Sequence, residues 1–155
     1  MGRQYLCVVQ DNVLQDSFTL NDYLVKDERL NRVRVCDADE RGAQLAVLRG
    51  RVLARRSGYA LCAIRLDTGR NHQIRVQMAN MGSPLWGDNR YGDGIPGQQI
   101  ALWGYKLIFE HPTTHQELTF MHLPYGSVWT VFQPELEQLW LEYTHPAPKE
   151  GSPAS

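Results

Sequence analysis

Lysine is scarce in this chain of 155 residues: of its 16 basic residues, 13 are Arg and 3 are Lys. Cysteine is as sparse. Cys7, Cys36 and Cys62 are odd in number, widely spaced and without a Cys-x-x-Cys pair, which argues against a disulfide framework and for reduced thiols packed as small apolar groups. No apolar run approaches the length needed to cross a bilayer. The start, Met1-Gly2-Arg3-Gln4-Tyr5, lacks the charged, apolar and small-residue regions of a signal peptide. These absences lead to the expectation of a cytoplasmic protein with no membrane partner. No internal repeat is present. An apolar fraction of 43% and a charged fraction of 21% are ordinary for a folded domain and exclude general disorder. The length suits one domain with a real core.

The net charge of −1 conceals an uneven distribution: residues 1–90 carry +4 and residues 91–155 carry −5. Arg presents a planar fork of donors suited to phosphate and carboxylate, so its dominance slightly favours an anion-facing surface. A solvated, salt-bridged face explains the same count, and charge alone decides nothing.

The patterning predicts an α+β fold, a mixed, mostly antiparallel sheet with one or two packed helices. Arg3–Gln10 reads as a strand, Phe18–Val25 as a short apolar segment, and Asn31–Cys36 as an alternating strand. Gln44–Arg56 and Tyr59–Leu66 form a hairpin through Ser57-Gly58. From His72 the spacing turns helical, with Ile74, Met78 and Met81 on one face and Val76 and Ala79 beside it. Asn71 is expected to cap this helix and Gly82 to end it. A glycine-rich loop covers Trp86–Gly97. Ile100–Phe109 and Glu117–Leu123 read as a second hairpin, Ser127 as the cap of a short helix to Phe132, and Pro134 as the start of another reaching about Tyr143. Residues 1–143 are expected to form the domain, and 144–155 a disordered tail.

One stretch outweighs the rest: Leu66-Asp67-Thr68-Gly69-Arg70-Asn71-His72-Gln73-Ile74-Arg75, followed by Gly82-Ser83-Pro84-Leu85-Trp86-Gly87-Asp88-Asn89-Arg90-Tyr91-Gly92. Arg70 precedes the helix and Arg75 lies one turn inside it. Two guanidiniums beside exposed helix N–H groups make an anion site, for an RNA phosphate or an ionised carboxylate. A purely structural pairing of Arg75 with an acid fits the same residues. Asp88 is expected to satisfy backbone donors in its own loop.

Both blocks, at this separation, closely resemble the RluA-type family of RNA pseudouridine synthases. Ala101-Leu102-Trp103, Phe109-x-His111-Pro112-x-Thr114 and Arg3-Gln4-Tyr5 extend the resemblance to nearly the whole chain up to Phe132. The resemblance implies isomerisation of uridine to pseudouridine in structured RNA, ribosomal or transfer, with the target flipped into a pocket. Arg75 matches the Arg that salt-bridges the family's catalytic Asp, and Tyr5 the active-site Tyr that stacks on the base and is a candidate for proton transfer. Ile74 matches the apolar pocket lining. Arg70, His72 and Gln73 match motif positions and are expected to bind and position the substrate or to serve the structure, not to carry the chemistry. No metal or organic cofactor is implied.

In the resemblance the catalytic Asp belongs to a His-Arg-Leu-Asp-x-x-Thr-Ser-Gly-like segment well upstream of the Tyr, whereas four residues precede Tyr5. Arg65-Leu66-Asp67-Thr68-Gly69 imitates that segment but runs into the later motif, so Asp67 is not expected to be the nucleophile. The expectation is a fragment inactive alone, with an open sheet edge inclined to self-association. A noncatalytic RNA-binding remnant is the main alternative, using the arginines of 49–75 for phosphates and Tyr5, Trp86 or Tyr91 for stacking. Core packing is the plainer role for Trp86 and Trp103. A zinc site of His111, His115 and His122 lacks a recognisable ligand spacing.

Overall fold

The computed structural model describes residues 2–12 and 14–146. Seven strands form one sheet: β1 (Gly2–Gln10), β2 (Ser17–Asp27), β3 (Arg32–Cys36), β4 (Gln44–Arg56), β5 (Tyr59–Leu66), β6 (Leu102–Glu110) and β7 (Glu117–Met121). Their order is β3-β2-β4-β5-β1-β6-β7, and every neighbouring pair runs antiparallel. Helix α1 (Gln73–Met81) follows β5, while a 3-10 turn (Ser127–Phe132) leads directly into α2 (Gln133–Thr144). The last residues of the anticipated tail, 147–155, lie outside the described residues.

The central strand β1 buries Leu6, Cys7, Val8 and Val9 completely because helices cover both faces of the sheet around it. Side chains alternate across a strand. Cys7 and Val9 therefore join Ile64, Cys62 and Leu48 beneath Ile74 and Met78 of α1. Leu6 and Val8 join Leu61 on the other face, beneath Trp129, Phe132 and Leu136. Ser57 and Gly58, with φ of 57° and 80°, make the two-residue turn whose twist matches the β4–β5 hairpin.

Local geometry departs from the sequence reading at several termini. The apolar segment Phe18–Val25 is the middle of an eleven-residue strand. Asn71 does not cap α1. His72 occupies that position in a left-handed conformation, φ 54°, without a side-chain cap, and the Gln73 amide oxygen instead accepts from the Arg70 N–H at 2.9 Å and the Thr68 hydroxyl at 2.9 Å. Gly82 ends the helix with φ 101°, its N–H returning to Ala79 and Met78 carbonyls, as the sequence suggests. Ser127 does not cap the 3-10 turn; Gly126 holds that position and Ser127 has a φ of 50°.

Phe132 is the largest fully buried side chain, and the Arg56 guanidinium lies 5.5 Å above its ring. Phe132→Ala is expected to cost about 3–5 kcal/mol in urea unfolding. A loss below about 1 kcal/mol would show that the C-terminal helical segment is not part of the cooperative core.

Candidate active site

The turn between β5 and α1 brings the motif residues to one end of the sheet. Tyr5, Arg70, His72, Gln73, Ile74 and Arg75 together line a single cavity of about 350 Å³, completed by Leu66, Ile100 and Leu102. Tyr5 enters from the central strand. It pairs with Gly104 of β6, where a Cβ would sit 3.6 Å from the phenol ring, so the half-buried ring lies across a position without a side chain. Ile74 is 4% exposed and forms the apolar floor. Thus all six residues singled out in the sequence meet in space.

Gln73 is buried and spends its side chain on the turn: besides the Oε1 contacts, its Nε2 donates to the Val47 carbonyl at 3.1 Å. Arg70 Nε donates to the Leu45 carbonyl at 2.9 Å. The His72 ring meets the Tyr91 hydroxyl at 2.8 Å. Burial, reinforced by the Arg75 and Arg90 charges, lowers the His72 pKa, so its imidazole is mostly neutral at neutral pH. Tyr91 also accepts from the Val33 N–H at 3.1 Å, and its ring lies 5.2 Å from both the Arg32 and Arg75 guanidinium carbons. These contacts engage Tyr91 as a brace between α1 and β3. Trp86 and Trp103 pack against the core on the opposite face.

Arg75 has a partner that the sequence reading did not assign. Its Nε and Nη2 donate to the two oxygens of Asp88 at 3.0 and 2.9 Å, and the Asp88 side chain is wholly buried. Asp88 also accepts from the Arg90 and Tyr91 N–H groups, each at 3.1 Å, which is its anticipated service to the loop. Burial alone raises a carboxyl pKa; here the Arg75 donors and the two backbone donors outweigh it and hold Asp88 below its usual value. Glycine allows the loop to close this tightly: a Cβ on Gly94 would lie 2.7 Å from the Asp88 nitrogen, and one on Gly87 2.7 Å from the Gln99 carbonyl oxygen. Arg75 Nη1 makes no hydrogen bond among the described residues. One edge of the guanidinium is therefore fixed, and Arg75 also contributes to the cavity lining.

No carboxylate lines this cavity among the described residues. Asp67 turns away to the Arg49 Nε, at 3.0 Å, and Asp88 is occupied by Arg75. Nor is any group of three or more His, Cys, Asp and Glu residues placed to hold a metal among the described residues. The His111 ring accepts from the Thr113 and Thr114 N–H groups, and His115 meets Glu110.

Asp88→Asn retains the shape but removes the charge that faces Arg75. It is expected to destabilise the protein at neutral pH by about 3 kcal/mol, because one member of a buried pair is left uncompensated. A lowered folded-state pKa contributes stability above the unfolded value, about pH 4, that is lost as pH falls through the folded value. The gap in melting temperature between wild type and variant is therefore constant from pH 7 to about 5 and closes below about pH 4. A gap that narrows already at pH 6 would assign the effect to another group.

Sequence comparison identifies the setting of this cavity. Residues 1–80 match the family model described as RNA pseudouridylate synthase. A relative named as the uncharacterized RNA pseudouridine synthase YlyB of Bacillus subtilis is 34% identical over 120 residues, 76% of this chain and 39% of its own length. The ribosomal large subunit pseudouridine synthase D of Xylella fastidiosa is 36% identical over 77% of this chain and 36% of its own. The chain thus spans well under half the length of these relatives. The solved structure of human RNA pseudouridylate synthase domain containing 4 shares the fold, with a TM-score of 0.66 at 18% identity over 88% of this chain and 62% of that one. With a family match over more than half its length and the RluA-type motif gathered in one cavity, the chain belongs to the RNA pseudouridylate synthase family.

Proposed function

We propose that the cavity receives a uridine flipped out of structured RNA, ribosomal or transfer, in the cytoplasm, and that Arg75 and Tyr5 serve its isomerisation to pseudouridine. The observation that carries this reading is the convergence of all six motif residues on one cavity of about 350 Å³, within the size range of small-ligand sites. A stacked nucleotide is inaccessible, so the base must leave the helix before it reacts. The Tyr5 ring and Ile74 offer the base an aromatic face and an apolar wall. In the isomerisation, the bond from uracil N1 to the ribose C1′ breaks, the uracil turns, and its C5 bonds to C1′. The C5 hydrogen leaves as a proton and N1 gains one, so no oxidant or cofactor is consumed.

The chemistry requires a carboxylate beside the sugar and base. Arg75 is suited to hold it: the free Nη1 edge would stabilise the ionised form and aim it, while Asp88 prevents the guanidinium from rotating. Asp67 and Asp88 are both spoken for by arginines, which supports delivery of the reacting carboxylate by a segment other than the described residues. The absence of a carboxylate from the cavity lining also favours a second reading, RNA binding without catalysis by this chain alone.

Tritium release from RNA carrying 5-tritiated uridine separates the two. Release is expected when the chain is joined to the His-Arg-Leu-Asp-bearing segment of a relative. Arg75→Gln in that protein should lower kcat at least about a hundredfold, as should Tyr5→Phe, which keeps the ring and removes the hydroxyl proposed to move a proton. RNA binding with no release by the joined protein would leave only the noncatalytic reading. Release by the chain alone would reassign the nucleophile to one of its own carboxylates, Asp67 first.

We also propose self-association along the unpaired side of β7, where Phe120 is 56% exposed and stacks on Phe109. Light scattering is expected to show mass rising with concentration, and Phe120→Lys to abolish the rise.

A further inference from the structure

The face of the sheet turned away from the candidate active site holds a second concave surface, of about 500 Å³. Its lining is rich in hydrogen-bond donors: Arg49, Arg51, Arg65, Ser17, Thr19 and Gln4 all border it, and no Asp or Glu does. Arg49 and Arg51 lie two residues apart on β4, hence on one face and about 7 Å apart along the strand. Arg65 is the direct cross-strand partner of Arg49, and like charges in that relation repel. All three side chains belong to exposed residues.

Four arginines outside this surface are neutralised locally, whereas Arg3, Arg29, Arg32, Arg41, Arg70 and Arg90 form no salt bridge among the described residues. Arg34 pairs with Glu40, Arg55 with Asp11 and Asp16, Arg56 with Glu135, and Arg75 with Asp88. In the concave surface Arg49 alone has a carboxylate partner, Asp67. Arg51 and Arg65 form no salt bridge among the described residues. Glu142 stands in the adjoining hollow with Arg51 but does not pair with it. A sheet that sets two arginines opposite each other and leaves neighbours uncompensated stores a repulsion that a bound polyanion relieves.

We propose that this surface binds the phosphodiester backbone of RNA, forming a second contact that grips the substrate on the face opposite the uridine cavity. The inference rests on the RNA substrate of the proposed function, but not on catalysis. Arg51 and Arg65 supply guanidinium forks to phosphate oxygens, and Ser17, Thr19 and Gln4 add neutral donors. These contacts position the RNA without reading its sequence. The spacing of Arg49 and Arg51 is comparable with that of adjacent phosphates on an extended strand.

The test uses the full chain and a short uridine-containing stem-loop RNA, with affinity measured by fluorescence anisotropy across a salt series. The double variant R51Q/R65Q is expected to bind several-fold more weakly, with the slope of log affinity against log salt reduced by about 1.4. R51K/R65K keeps both charges and should retain the wild-type slope. Removing Arg65 also relieves its repulsion with Arg49, so the melting temperature of R51Q/R65Q should equal or exceed that of wild type. An unchanged slope in R51Q/R65Q overturns the proposal, as does loss of the slope in R51K/R65K. Should the Gln variant fold poorly, the arginine Nε resonances of the wild-type protein give an independent measurement. Arg51 and Arg65 should shift on RNA titration, and their silence at saturation rejects the site. A poly-glutamate peptide that shifts the same resonances more strongly than RNA does would assign the surface to an acidic protein instead. If R51Q/R65Q binds as wild type while Tyr5→Ala binds weakly, this second contact fails and the uridine cavity stands. If wild type binds no RNA, both readings fail together.

Discussion

The buried pair of Arg75 and Asp88 is the constraint on which the site depends, because it ties α1 to the glycine-rich loop that follows it. The start of the loop is anchored by Leu85 and Trp86, which pack in the two cores and pair with β1, while Ile95 at its far side remains 63% exposed. Between them the loop is ordered by the polar centre. The Asp88 side chain takes four donors, two from Arg75 and two from the backbone at Arg90 and Tyr91. The Asp88 carbonyl receives the Gly92 and Gly94 N–H groups. Desolvating a carboxylate costs several kcal/mol unless such donors meet it, so loop closure and guanidinium placement stand or fall together. Tyr91, held by that loop, then braces His72 at the start of the same helix.

Of the two readings of Arg75 that the sequence leaves open, the structure shows the ion pair, and the pair leaves room for the other because a guanidinium has more than one edge. Five N–H donors in a planar fork let one edge meet Asp88 while Nη1 has no hydrogen-bond partner among the described residues. A lysine in this place would offer a single rotatable centre and could not divide its work in this way. The structural ion pair would thus define the geometry of the proposed chemical role rather than compete with it.

What the sequence made legible was local and repetitive. Strand alternation predicted β1, β4 and β5, and helical spacing predicted α1 with its Gly82 terminus. The motif residues, though discontinuous between Tyr5 and Arg70, converge because β1 and β5 are neighbours. What stayed hidden was polar and long-range. Apolar periodicity cannot register Gln73 and Gln77 as buried, since their amide N–H groups find acceptors far away in sequence: Gln73 Nε2 reaches the Val47 carbonyl at 3.1 Å, and Gln77 Nε2 the Ala46 carbonyl at 3.1 Å and the Asp22 carboxylate at 2.9 Å. Asn71 had the side chain of a cap, yet His72 took the position, in a turn that Gln73 ties together by accepting from the Arg70 N–H. Asp88 was legible as a loop acid but not as the partner of Arg75, which lies thirteen residues away. The glycines at 87 and 94 were the available signal. A loop that must approach its own backbone so closely encloses something.

The alternation of β1 also separates the two surfaces to which functions are assigned here. Tyr5 points to the cavity side, whereas Gln4, its neighbour, points to the arginine-lined side and meets the Tyr105 hydroxyl at 3.2 Å. A one-residue slip of this strand would exchange the two, burying Gln4 against Ile74 and removing the aromatic ring from the cavity. Such a slip is opposed by Leu6 and Val8 on one face and Cys7 and Val9 on the other, all fully buried. It is also opposed by a bulge between Gln4 and Tyr5 that sets the pairing with β6. The same apolar residues that carry the stability of the sheet therefore fix which face Tyr5 serves. Arg75 is fixed independently, by Asp88. The cavity draws its two principal residues from two separate constraints, one hydrophobic and one electrostatic, and acid that protonates Asp88 should release the arginine while leaving the tyrosine in place.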